Sequence, residues 1–241
     1  MMEKLRTTEK MPTFAVIIAA AGKSVRFCGA TKKIFCRIVD KPVWQYSAEL
    51  FASHPLVRQL IIVIAPEDRD SFQRDCLQGD RFPLELVDGG TERFESIENG
   101  LKVVQENIDF VAIHDAARPC LRREQIDRVF QIAIQSGAAI LAAPVVATLK
   151  RGNDHQQIVE TVPRQDLWEA QTPQVFRRDW IVEGFAKRTE DDITDDAQLL
   201  EKINHPVSIV SSDQSNIKIT TQNDLYLTEL WLKIRETIVE K

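Results

Sequence analysis

Short apolar runs rich in Val and Ile alternate with segments of helical periodicity along this 241-residue chain, and few folds accommodate that alternation. The runs are too short for helices and too uniformly apolar for a one-faced sheet, so each is a strand buried on both sides. Helices between such strands return the chain for another pass in the same direction. Strands are expected at 14–20, 59–64, 84–87, 110–114, 138–143 and 207–210, and helices at 43–53, 68–77, 92–105, 123–135, 195–203 and 225–236. The expected fold is α/β, a doubly wound and mostly parallel sheet. One stretch, 144–178, breaks the rhythm with two short alternating segments and no long helix. It is read as a β-arm protruding from the sheet, suited to dimer contacts and substrate binding. A single domain over 13–241 behind a charged, flexible leader, 1–12, completes the expected organisation.

A net charge of -5 argues against a nucleic-acid binder, so any bound anion must meet a local basic cluster. Cys28, Cys36, Cys76 and Cys120 have no C-x-x-C spacing and are read as reduced thiols of a cytoplasmic protein. No apolar run approaches the length of a membrane span, and 1–12 lacks the apolar core of a signal peptide. His54, His114, His155 and His205 lack the spacing of zinc ligands.

A basic cluster follows the first strand. The string Ala20-Ala21-Gly22 leads into a loop carrying Lys23, Arg26, Lys32 and Lys33. The small residues let phosphates approach backbone N–H groups, and the cations neutralise them. It is not a Walker A loop, because Ile17 stands where the first glycine belongs, and the further glycines of a dinucleotide fingerprint are missing. A second cluster, Asp88-Gly89-Gly90-Thr91-Glu92-Arg93 with Ser96, again sets glycines between a strand and a helix and offers hydroxyls to a base or ribose. A third, His114-Asp115-Ala116-Ala117-Arg118-Pro119, ends a buried strand where open α/β sheets bind ligands. Asp115 is the best carboxylate there for Mg²⁺ or for orienting a substrate.

The form A-A-G-x-S-x-R-F-x-G-x-x-K-K resembles the nucleotidyltransferases that activate sugar and polyol phosphates, and H-D-A-A-R-P is similar to the string of the 2-C-methyl-D-erythritol 4-phosphate cytidylyltransferases. Further strings at 142–150, Arg164, 172–174, 193–197 and 216–220 extend the resemblance over about 14–230. It implies a Rossmann-like nucleotidyltransferase that moves a cytidylyl group from CTP to a polyol phosphate, in non-mevalonate isoprenoid precursor biosynthesis. Carried over by position, Arg26, Lys33, Arg164 and Lys218 would be the catalytic cations, the first pair on the triphosphate and the second on the acceptor phosphate. Ala20, Ala21, Gly22, Ser24, Gly90, Thr91, Arg93, Ser96 and Ala116 would hold the nucleotide. Asp115, Arg118, Thr148, Arg164, Thr194 and Lys218 would line the acceptor site. Mg²⁺ or another divalent cation would enter mainly through the triphosphate, with Asp115 as its protein ligand. The arm would cross a two-fold homodimer, so that Thr148 and Arg164 serve the neighbouring site.

Ser24, Lys32, Ile34 and Ala147 depart from the family's usual glycine, proline, glutamine and aspartate. Two readings stand beside the main one: a sister cytidylyltransferase acting on ribitol 5-phosphate, and a CTP-binding protein without turnover. The A-A-G-x-S-x-R-F form is also similar to transferases acting on molybdenum cofactor, which lack the H-D-A-A-R-P and N-I-K-I-T strings.

Overall fold

The computed structural model describes residues 11–23, 27, 31–77, 84–189 and 193–239. In chain order the elements are β1 (Phe14–Ala19), β2 (Arg37–Ile38), β3 (Lys41–Pro42), α1 (Val43–Ala52), β4 (Val57–Ile64), α2 (Arg69–Leu77), β5 (Glu85–Asp88), α3 (Arg93–Lys102) and β6 (Phe110–Asp115). There follow α4 (Arg123–Ser136), β7 (Ala138–Pro144), β8 (Leu149–Gly152), β9 (Ile158–Val162), β10 (Trp168–Arg177), α5 (Arg178–Ala186), α6 (Ala197–Lys202), β11 (Ser208–Ser211) and α7 (Gln222–Val239).

Seven strands form one sheet in the order β11-β7-β10-β6-β1-β4-β5. β1 pairs in parallel with both β4 and β6, β4 with β5, and β11 with β7, whereas β10 runs antiparallel to β6 and β7. The doubly wound, mostly parallel sheet is therefore present. Alternate residues of β1 enter opposite cores. Phe14, Val16 and Ile18 face Trp44 and Phe51 of α1 and Phe130 of α4, while Ala15 and Ile17 face Ile97 of α3, Ile181 of α5 and Leu200 of α6. Each of the larger of these buried side chains, Phe14, Val16, Ile17 and Ile18, contributes about 1.5–3 kcal/mol, which is why both faces of the run had to be apolar. A third, smaller cluster seats Leu225 and Leu232 of α7 against Phe27, Ile38, Val43 and Ile219.

The stretch 144–178 is only partly an excursion. β8 and β9 pair with each other alone, as an arm outside the main sheet. From Trp168 on, the chain is β10, inserted between β6 and β7. Sequence reading missed this strand because its centre is Gln171-Thr172-Pro173-Gln174, polar residues that are nevertheless buried. Each polar side chain finds a partner: Gln171 donates to the Asp213 carbonyl, Gln174 to Asp195, and Thr172 lies 3.1 Å from His114. A buried polar group is tolerated once it is hydrogen-bonded, so composition alone misleads here. α5 was missed with it.

β1 is flanked on one side by β4, which follows it in the chain, and on the other by β6, to which the chain returns after β5. The switch in winding direction opens a crevice beyond the carboxyl ends of β1 and β6. Ala20 follows the first of these ends and Asp115 closes the second.

Candidate active site

A cavity of about 200 Å³ occupies that crevice. One wall is Ala20, Ala21, Gly22 and Lys23, the loop continuing β1. A Cβ on Gly22 would meet nothing within 4 Å, so packing does not demand glycine there and its smallness serves the open space. Gly90, Thr91, Glu92, Arg93 and Ser96 form the facing wall. Here glycine is required: a Cβ on Gly89 would stand 2.7 Å from both the Ala21 side chain and the Ser96 hydroxyl, so the two turns could not close on one another.

The facing turn is built by its own side chains. Ser96 Oγ accepts from the Gly90 N–H at 3.1 Å and donates to the Glu92 carbonyl at 3.1 Å. The Glu95 carboxylate accepts from the N–H and hydroxyl of Thr91, both at 2.7 Å, and from the Glu92 N–H at 3.0 Å, which closes a capping box at the start of α3. The Thr91 and Ser96 hydroxyls expected to meet a nucleotide are thus engaged in shaping the turn.

The floor is electrostatic. Asp115 is buried, and Lys218 Nζ lies 2.7 Å, Arg118 Nε 3.5 Å and Arg93 Nη2 3.8 Å from its carboxylate oxygens. Burial pushes its pKa up, but the charges of Lys218, Arg93 and Arg118 outweigh that and hold it well below the usual carboxylate range. Lys218 comes from a strap, 216–220, tied to the strand end by two bonds: Arg118 Nη1 donates to the Asn216 carbonyl at 2.8 Å, and the Ile219 N–H donates to the Ala117 carbonyl at 2.8 Å. Asn216 also donates to the Thr172 carbonyl at 2.9 Å, fixing the strap to β10. Lys33, which lines the cavity, donates from Nζ to the Ile219 carbonyl at 2.8 Å. Three motifs far apart in sequence therefore meet at one place.

Other expected site residues lie elsewhere. Ser24 and Arg26 fall outside the described residues. Ala116 is fully buried with its N–H on the Ala19 carbonyl, and its neighbour Ala117 faces the cavity instead. Thr194 is exposed on the loop before α6, its N–H bonded to Gln198 at 3.0 Å. Thr148 and Arg164 are exposed at the base of the arm, where Arg164 donates to the Val146 carbonyl, and neither lines this cavity. Asp115 is a poor resident metal ligand, because cations already surround it; no group of three His, Cys, Asp or Glu side chains suited to a metal occurs among the described residues. Among the same residues no helix is long and apolar enough to cross a membrane.

The family model for IspD, 2-C-methyl-D-erythritol 4-phosphate cytidylyltransferase, matches residues 14–234. The chain belongs to this family. A 2-C-methyl-D-erythritol 4-phosphate cytidylyltransferase of Rhodopirellula baltica is 39% identical over 227 residues, covering 89% of this chain and 93% of the relative. One of Alkaliphilus oremlandii is 35% identical, covering 94% and 98%. The crystal structure of 4-diphosphocytidyl-2C-methyl-D-erythritol synthase from Anaerococcus prevotii superposes with a TM-score of 0.80 at 27% identity, covering 92% of this chain and 99% of that one. The cytidylyltransferase family implied by the A-A-G and H-D-A-A-R-P strings is thus the one to which the chain belongs.

Beneath the cavity of this cytidylyltransferase-family protein, His114 is sealed from solvent, with Ser47 Oγ 3.1 Å from Nε2, Thr172 Oγ1 3.1 Å from Nδ1 and the ring edge-on to Phe51. Burial holds its pKa down at about 4. The unfolded chain therefore takes up a proton below about pH 6.5 that the folded chain refuses until about pH 4. Stability is expected to fall as pH drops through that window, by on the order of 3 kcal/mol from this group. His54, whose pKa burial also lowers, acts in the same direction. Denaturant unfolding measured from pH 7.5 to 4.5 checks this, and His114→Gln should flatten the slope; an unchanged slope in the variant contradicts it.

Proposed function

We propose that this protein transfers the cytidylyl group of CTP to 2-C-methyl-D-erythritol 4-phosphate, forming 4-diphosphocytidyl-2-C-methyl-D-erythritol and pyrophosphate, as a step in non-mevalonate isoprenoid precursor biosynthesis. The observation that carries this reading is the gathering of Lys23, Lys33 and the Asp115–Lys218 pair around one cavity at the sheet's switch point. Family membership supports the substrates.

The acceptor is a phosphomonoester, whose oxygen is already anionic near neutral pH, so no general base is required. The barrier lies in bringing two anions together in line at the α-phosphorus. Lys33 and Arg26 oppose the charge that grows on the α-phosphoryl oxygens and the leaving pyrophosphate. Lys33 exchanges its bond to the Ile219 carbonyl for the triphosphate, which links nucleotide arrival to the strap carrying Lys218. Lys218 and the neighbouring subunit's arm hold the acceptor phosphate, with Asp115 and Arg118 setting the position of Lys218. Mg²⁺ arrives with the triphosphate as part of the substrate and offsets its charge.

The arm suits a homodimer. Ile158 and Val159 on β9 are 68% and 60% exposed, and Arg164 lies at its base, away from its own chain's cavity. Apolar side chains on a two-stranded projection call for a partner surface.

The test is pyrophosphate release with CTP, Mg²⁺ and a panel of phosphorylated polyols. Release with 2-C-methyl-D-erythritol 4-phosphate in preference to ribitol 5-phosphate is expected. Preference for ribitol 5-phosphate would reassign the acceptor, and CTP binding without release would remove the enzymatic reading.

A further inference from the structure

Asp196 is a carboxylate sealed inside the protein at 2% exposure, and its two oxygens accept from one arginine. Arg93 Nη1 donates to Oδ1 at 3.0 Å and Nη2 to Oδ2 at 2.7 Å, the fork geometry in which a guanidinium binds most strongly. The same Nη2 stands 3.8 Å from Asp115, within ion-pair range but beyond hydrogen-bond range. Three cations thus surround Asp115, and one of them is tethered elsewhere.

The tether is fixed at its other end. Gln174, buried in β10, donates to Asp195 Oδ2 at 2.8 Å and accepts from the Ala197 N–H at 3.0 Å, so it grips the loop on both sides of Asp196. Asp195, the remaining acid near Arg93, also accepts from the Gln198 N–H at 3.2 Å. Asp196 therefore cannot follow Arg93 if the arginine leans toward Asp115.

We propose that Asp196 is a positioning residue that holds Arg93 off Asp115 and so reserves Asp115 for Lys218 and Arg118 at the acceptor end of the cavity. The inference rests on the reading that Lys218 faces the acceptor phosphate. Without the Asp196 charge, the Arg93 fork has Asp115 as its nearest carboxylate, and a small rotation closes the gap. Lys218 then loses its partner and its place. Arg93, expected from sequence to hold the nucleotide, thereby also governs the acceptor side.

The experiment is steady-state pyrophosphate release by the full chain with CTP and 2-C-methyl-D-erythritol 4-phosphate, for the wild type, Asp196→Asn, and Asp196→Asn with Arg93→Gln. Asp196→Asn should raise the acceptor KM about tenfold or more while the KM for CTP stays within about threefold. Adding Arg93→Gln should reverse most of that rise, because the misplaced fork, not the lost carboxylate, does the harm. A purely structural role would lower the melting temperature without a split between the two KM values and without rescue. An acceptor KM within about twofold of wild type in Asp196→Asn, or a rise the second substitution does not relieve, overturns the proposal. Should Asp196→Asn not fold, the neutral double variant carries the test: an acceptor KM within about threefold of wild type supports the proposal and a larger rise overturns it. If the wild type itself releases no pyrophosphate with any polyol phosphate, the functional reading fails and this inference with it; if the wild type turns over and Asp196→Asn matches it, the inference alone fails.

Discussion

Lys33→Ala is expected to lower kcat for pyrophosphate release by roughly 10²–10³-fold at saturating CTP, with the melting temperature nearly unchanged. Removing one well-placed donor from developing transition-state charge costs about 3–4 kcal/mol, which is that factor in rate. The fold should survive because the Lys33 side chain reaches out over the cavity to the Ile219 carbonyl, while the adjacent Ile34 supplies the buried contact. Lys33→Arg separates charge from geometry: it keeps the charge but cannot present a compact ammonium, so it should recover only part of the loss. Near-normal turnover in Lys33→Ala, measured with CTP saturating, would remove this residue from the chemistry.

The second large effect concerns the arm. Arg164→Ala alone should weaken acceptor use by about 30–160-fold, the worth of a charge-assisted bond of about 2–3 kcal/mol to phosphate. Mixing the impaired Arg164→Ala and Lys33→Ala chains should then restore activity. In a two-fold dimer with crossed arms, each mixed pair regains one site in which both residues are native, and random reassociation returns about a quarter of wild-type turnover. Co-expression with two affinity tags, followed by assay of the doubly purified species, isolates the mixed dimers, which should show about half of wild-type turnover because one of their two sites is intact. Mixed dimers no more active than either parent would mean that each site is built from one chain.

Much of this architecture was legible from residue pattern. Strands β1 and β7 are apolar throughout, and β4 and β6 are apolar over 60–64 and 110–113, because helices cover both their faces, and such a run has few other places to go. β10 was not legible. Its buried Gln171, Thr172 and Gln174 are satisfied by Asp213, His114 and Asp195, groups from 21 to 58 residues away in sequence, and no local pattern announces such partners. The site divides in the same way. Asp115 sits at a strand end where the fold predicts a ligand, Lys33 stands in the basic cluster that follows β1, and family strings pointed to Lys218. Asp196 and its fork on Arg93, 103 residues away, could not be anticipated, because pairing at that separation is a property of the folded chain. Ser96 has a second part that the sequence did not announce: the hydroxyl that lines the cavity also braces the glycine turn.

The central claim is that the cations around one cavity hold a triphosphate and a phosphomonoester so that a CMP unit passes between them. CTP labelled in its α-phosphate tests it most directly, incubated with the protein, Mg²⁺ and 2-C-methyl-D-erythritol 4-phosphate. The account predicts that the label appears in a diphosphate-linked product in amounts equal to the pyrophosphate released. Label that stays in CTP, or emerges as free CMP or CDP with the acceptor unchanged, would contradict it.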